Sequence, residues 1–333
     1  MTRQFLLILS LAATFPAEAQ APRLPPGAAV APQLAQMQAV LVRQHQARTQ
    51  LYREALEELK KNPKAADYAD CAPGQAREAC VPSVRAPVMP GPDASLVTRS
   101  KRALLIANMA YAKPIPALET PGPDADAIAQ ILRERFGYAT VVLRNGSKAD
   151  IARALNRLAG EVGVEDSVLI YYAGHGYLYD ETNMGYWLPV DASVQTAAGW
   201  ISNADIARFL TAIPARQLML ISDSCYSGTL TRELRVTRAE TIDAPAVLRK
   251  RSVLVLTSGG EEPVSDEGRQ GHSIFAGHLI RVVSSTQGLA PGAQVFAEVR
   301  RAVTREFPQT PQYGAALSAG HTAGGEYLFQ SAK

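Results

Sequence analysis

Two short segments carry residues able to do covalent chemistry: Gly174-His175-Gly176, and Asp223-Ser224-Cys225-Tyr226-Ser227-Gly228. An imidazole beside a thiol can remove its proton and leave a thiolate nucleophile, and the same imidazolium can later protonate a departing amine. That is the chemistry of a thiol hydrolase. Each segment follows an apolar run, Ser167 to Tyr172 in one case and Gln217 to Ser222 in the other. Runs of this length, continuously apolar from Val168 to Tyr172 and from Leu218 to Ile221, suit parallel strands covered on both faces. Sites in open α/β sheets lie outside the carboxyl ends of such strands. If the two runs are neighbours in one sheet, His175 and Cys225 converge at one of its edges.

The rest of the chain is organised around them. From Lys101 onward strand-like and helix-like patterns alternate, as expected for an α/β sheet sandwiched between helical layers. Strands are predicted at 103–107, 140–143, 167–172, 217–222, 252–257 and 326–329. Helices are predicted at 124–136, 148–158, 205–210, 274–283 and 294–307, the first entered through Pro121-Gly122-Pro123. The 333 residues are 47% apolar and 20% charged, ordinary for a globular protein with a sizeable core. The net charge of +3 comes from basic and acidic residues spread along the chain, which does not suggest nucleic-acid binding.

Residues 1–19 read as an export signal: Arg3, an apolar stretch from Phe5 to Ala13, and a small-x-small site at Ala17-Glu18-Ala19. That stretch is too short to cross a bilayer, which takes about 20 residues. The alternative is a poorly packed N-terminus. The expectation is a soluble periplasmic or secreted protein without a membrane span in its mature form. Residues 20–80 form an extension with a helical pattern at Gln33 to Lys61, either a prop against the main domain or a partner-binding helix. Cys71 and Cys80 lie close together without a companion His; a disulfide suits an oxidising compartment, with unpaired thiols or half of a metal site as alternatives. Residues 81–100 are a Pro-rich linker, and 101–333 the main domain.

From Lys101 to Phe329 the segments resemble the caspase and metacaspase group of cysteine peptidases, particularly bacterial caspase-like proteins. The resemblance is carried by ALLIAN, PDADAIAQILRERFGY, YYAGHGY, YWLPVDA, LISDSCYSG and SGGEEPVSDEGRQGHSIF, in the family's order. It implies a three-layer sandwich with a mostly parallel central sheet flanked by helices, here with an added N-terminal helix. It implies Cys225 as nucleophile, His175 as its base, and the backbone N–H groups of Gly176 and Cys225 as donors to the oxyanion. Asp124 and Asp223 match positions of the pocket for the residue before the scissile bond. Two carboxylates there favour Arg or Lys and disfavour Asp. Asp124 could instead serve the helix N-terminus, and Asp223 could be a structural acceptor.

The chain departs from the metacaspase pattern in three places. Asn203-Ala204-Asp205 and Thr231-Arg232 stand where calcium-dependent members carry aspartates, so activity without calcium or other cofactor is expected. Ala173 replaces the usual Ser before Gly-His. The connection from the Cys225 strand to the Ser252 strand carries Arg232, Arg235, Arg238, Arg249, Lys250 and Arg251, and self-processing within 230–251 is set beside a solvated charged loop. Glu261, Glu262 and Asp266 are expected near the substrate cleft, whereas His45, His272, His278 and His321 read as structural or exposed, without metal-ligand spacing. Trp187 and Trp200 are expected in the core. The reading is of an endopeptidase acting on protein or peptide substrates, with two rivals: a catalytically idle binding or scaffold protein of the same fold, and a thiol redox protein, which needs a second nearby cysteine.

Overall fold

Unbroken apolar stretches with no Gly or Pro inside them, Val168 to Ala173 and Leu218 to Ile221, form the centre of the sheet, because only strands buried on both faces can hide every side chain. The computed structural model describes residues 98–113, 115–179, 184–193, 197–224, 234–235, 244–259, 271–307 and 309–331. Residues 1–97, and with them the export signal, the N-terminal helix, Cys71, Cys80 and most of the linker, lie outside the described residues.

The main sheet takes its parallel strands from β1 (Lys101–Ala107), β2 (Ala139–Arg144), β3 (Ser167–Ala173), β7 (Gln217–Asp223) and β9 (Ser252–Thr257). Two further strands run antiparallel to their neighbours, β11 (Gln312–Ala315) beside β9 and β8 (Leu234–Arg235) beside β11. The order is β2-β1-β3-β7-β9-β11-β8. Every residue of β3, β7 and β9 is buried.

Side-chain alternation divides the core in two. Leu105, Leu169, Tyr171, Met219, Ile221 and Leu254 meet the helices α1 (Pro121–Phe136), α5 (Ile274–Ser285) and α6 (Gly292–Glu306). Leu104, Ile106, Val168, Ile170, Leu218 and Leu220 meet α2 (Lys148–Glu161) and α3 (Asn203–Ala212) on the other face. The sequence expectation of a three-layer α/β sandwich with a mostly parallel sheet is the architecture found.

The chain leaves β1 through α1 to β2 and returns through α2, on the opposite face, to β3. Right-handed crossovers of opposite direction produce that arrangement, and they open a crevice between the carboxyl ends of β1 and β3. A small antiparallel sheet, β4 (Gly176–Tyr179), β5 (Met184–Trp187) and β6 (Ile201–Ser202), continues from this end. With it goes a satellite cluster of Tyr111, Ile115, Tyr177, Tyr186, Leu188 and Trp200. Trp187 and Trp200 are buried, as expected from sequence.

Two expectations need correction. The strand expected at 326–329 forms as β12 (Leu328–Gln330), outside the main sheet and antiparallel to β10 (Leu289–Pro291). Gln217 holds it there: its Nε2–H donates to Glu326 O and its Oε1 accepts from Leu328 N–H, both at 2.9 Å. The place beside β9 belongs to Gln312–Ala315, whose Gly314 and short length hide it from propensity-based reading. Arg251 is not a solvated charge. It is buried, and its guanidinium donates to Leu210 O, Ile213 O, Ala215 O and Ala319 O at 2.8–3.3 Å. Burial lowers its pKa to about 10. Three of these carbonyls, those of Leu210, Ile213 and Ala215, lie at and beyond the C-terminus of α3, where a cation also complements the helix dipole. A side chain so engaged is withdrawn from self-processing; Arg249 remains exposed beyond the short helix α4 (Ala244–Leu248).

Candidate active site

The register of β3 against β7 pairs Ala173 with Asp223, and that of β1 against β3 pairs Ala107 with Ala173. Three parallel strands therefore end level. Gly174-His175 follows one end and Ser224-Cys225 follows its neighbour, each pair the same number of residues past the matched position. Cys225 itself lies outside the described residues, as do Glu261, Glu262 and Asp266.

His175 is held from several sides. Its Nε2 lies 2.8 Å from Pro116 O. A carbonyl only accepts, so in the neutral ring Nε2 carries the proton and Nδ1 carries the lone pair. The backbone N–H of His175 donates to Tyr111 Oη at 3.0 Å, while that hydroxyl donates to Leu188 O at 2.9 Å. The Tyr111 ring also lies against the imidazole, with centroids 4.7 Å apart and planes at 58°. Burial pushes the Tyr111 phenol up, which keeps its proton for donation. On the other side Tyr172 Oη donates to His175 O at 2.9 Å, and Leu188 N–H donates to the same carbonyl at 3.0 Å.

Gly174 is required by this crowding. A Cβ there would stand 2.7 Å from Tyr111 Oη and 2.9 Å from Tyr172 Oη. The segment that delivers Pro116 is closed by Leu118 N–H donating to Met109 O and is tied to Asn145, whose Oδ1 accepts from the Met109 and Ala110 N–H groups. Sequence reasoning singles out neither Tyr111 nor the Pro116 carbonyl. A backbone acceptor has no residue type to recognise, and Tyr111 is reached only through the loop's fold.

Asp124 and Asp223 come together. Asp223 Oδ2 accepts from Ser273 Oγ at 2.7 Å and from Tyr171 Oη at 3.5 Å. Asp124 Oδ2 accepts from the Ser273 backbone N–H at 3.3 Å, and its Oδ1 lies 2.6 Å from His272 Nδ1. Ser273 thus spans the two carboxylates. It is also the N-cap of α5, its Oγ accepting from Ala276 N–H at 2.9 Å. The positive end of that helix faces the acid pair. Asp124 is not the opening residue of α1: the helix begins at Pro121 with Thr120 as N-cap. Its side chain turns inward and is fully buried, and burial pushes the carboxyl up to about 7 against the bonds from Ser273 and Thr120. Burial, with Asp223 and Asp124 nearby, raises the Tyr171 phenol well above its usual value. His272, expected to be structural or exposed, is partly buried and bonds to a pocket candidate; that pairing spans 148 residues of sequence, beyond any local pattern.

The neighbouring residues are fixed from within. Ser224 Oγ is 3.1 Å from Ser222 Oγ, which accepts from Trp187 Nε1–H at 3.0 Å, and Trp187 stacks on Tyr172 at 4.1 Å. Gly176 opens β4 and pairs with Trp187. Ala173 packs into the apolar core. His321 Nδ1 accepts from Val253 N–H at 3.1 Å, and burial lowers its pKa, so it is structural; His278 is buried on α5 near Arg281. Asp205 Oδ2 accepts from Ser202 in a capping box. Among the described residues no group of three His, Cys, Asp or Glu is arranged to hold a metal ion, and no helix is long and apolar enough to cross a membrane.

The family model for the caspase domain matches residues 100–319, and the chain belongs to that family. It is similar to a crystal structure of a Geobacter sulfurreducens protein, with 21% identity over 65% of this chain and 93% of that one, at a TM-score of 0.48. It is also similar to caspase-1 from Spodoptera frugiperda, with 15% identity over 70% of this chain and 94% of that one, at a TM-score of 0.49. No curated protein matches the chain.

Proposed function

We propose that the chain is a cysteine endopeptidase that cuts after Arg or Lys, with Cys225 as nucleophile and His175 as base. The observation carrying this is the 2.8 Å contact between His175 Nε2 and Pro116 O. With Nε2–H donating to Pro116 O, the basic nitrogen is Nδ1, and the ring is oriented by a carbonyl rather than by a third side chain. Cys225 gives its proton to Nδ1, and the thiolate attacks the substrate carbonyl. The oxyanion takes hydrogen bonds from the N–H groups of Gly176 and Cys225. Collapse of this intermediate passes the proton from the imidazolium to the leaving amine, and water then hydrolyses the thioester with the same histidine as base.

Selectivity for a basic side chain is assigned to Asp124 and Asp223. Their bonds to Ser273 support the reading, because they bring two acids to the carboxyl end of β7, next to the segment that bears Cys225. Export, with residues 1–19 removed, activity without calcium, and self-cutting after one of Arg232, Arg235, Arg238, Arg249 or Lys250 complete the proposal.

The test is turnover of fluorogenic peptides with Arg, Lys or Asp at the cleavage position, with and without chelator, beside Cys225→Ala protein. Cleavage of the Arg and Lys peptides, abolished in the variant and unaffected by chelator, is expected. Turnover of the Asp peptide alone would overturn the pocket assignment. Failure of iodoacetamide or an Arg-chloromethylketone to label Cys225 would instead favour an idle scaffold. On gels, wild-type protein that stays as intact as Cys225→Ala protein rules out self-cutting.

A further inference from the structure

Asp124 has 1% of its side chain exposed and His272 has 24%. The carboxylate reaches solvent by no appreciable surface of its own, while the imidazole bonded to it at 2.6 Å does. A basic side chain entering on the side of His272 cannot meet Asp124 Oδ1 in this arrangement, because the imidazole stands between the buried carboxyl and solvent. We infer that His272 is a specificity-determining residue, an internal occupant of the acidic pocket whose imidazole must leave Asp124 before a guanidinium or ammonium can take its place. The inference rests on the assignment of Asp124 to the pocket.

The groups facing the pair come from several elements. Thr120 bonds to Asp124 from the start of α1, the Ser273 N–H donates to Oδ2, and Asp223 and Tyr171 lie beyond Ser273. When the ring leaves, Oδ1 alone changes partner, since Thr120 and Ser273 still hold the carboxyl. The arriving cation supplies the missing donor in a charge-assisted bond. Gly271, directly before His272, has φ 79°, in the left-handed region that only glycine enters readily, so the ring sits at a backbone turn rather than inside a rigid element. The ring therefore competes with substrate, and it does so most against ligands that reach Asp124.

Binding rather than turnover is the readout. Cys225→Ala protein is titrated by calorimetry with a short peptide ending in Arg and with one ending in Leu, beside Cys225→Ala/His272→Ala and Cys225→Ala/His272→Asn proteins. Loss of one net hydrogen bond to be displaced corresponds to a tightening of about three- to tenfold for the Arg peptide in the His272→Ala background. Little change is expected for the Leu peptide. The Asn variant, which can still donate, should fall between. In parallel, the ring resonance of His272 in the Cys225→Ala protein should move on adding the Arg peptide and stay still with the Leu peptide. Unchanged or weaker Arg binding without His272, or a ring resonance indifferent to the Arg peptide, overturns the inference alone. Absence of any preference for Arg over Leu in all three proteins overturns the pocket assignment and this inference with it.

Discussion

Asp124→Asn exchanges a titrating acid for an amide of nearly the same shape, which isolates what its ionisation does to stability. Burial moves the carboxyl from 3.8 to about 7. The unfolded chain gives up this proton first, so across that interval the folded state holds more protons than the unfolded one. The contribution is then complete at the acid end and disappears as pH rises through the folded value. Between about pH 4.5 and 7.5 the loss comes to about 3 kcal/mol, at 1.36 kcal/mol per pH unit until the folded value is passed. The amide of the variant cannot titrate, so wild-type protein should lose about 3 kcal/mol relative to the variant over this range. For a domain of this size that is about 6–12 °C in the difference between melting temperatures. Calorimetric melts of both proteins at four or five pH values measure it. A difference that stays flat, or that moves in favour of the wild type as pH rises, would refute the reasoning: the bonds from His272 and Ser273 would then outweigh burial and hold Asp124 as a carboxylate.

Tyr111→Phe removes the acceptor for the His175 N–H and the donor to Leu188 O, which should cost about 1–2 kcal/mol in urea melts. Because the same hydroxyl fixes the backbone that carries the imidazole, the Arg-peptide kcat should fall about tenfold with KM little changed, a loss of about 1.4 kcal/mol in the barrier. An unchanged kcat beside a lowered melting point would make Tyr111 purely structural. Arg251→Met leaves four buried carbonyls without their shared donor and should destabilise by about 3 kcal/mol, read from the urea midpoint at unchanged slope. A cost below about 1 kcal/mol would mean that water reaches those carbonyls.

Sequence alone determined the parallel core of this protein. Val168, Leu169, Ile170 and Tyr171, like Leu218, Met219, Leu220 and Ile221, are apolar at consecutive positions, and such a run has only a two-faced burial to satisfy it. It determined too that Gly174-His175 and Ser224-Cys225 follow strand ends, since the apolar pattern stops there. Tertiary structure alone decided which strand sits beside β9, where Gln312–Ala315 has too few residues and too little apolar character to announce itself, and sent Leu328–Gln330 elsewhere. It decided that Arg251 is buried, because its partners are carbonyls and a carbonyl is the same in every residue. The surroundings of His175 and Asp124 have the same origin. Pro116 O, Tyr111 and His272 reach them across 59, 64 and 148 residues, distances over which local periodicity carries no signal and only the closed loops of the folded chain bring groups into bonding range.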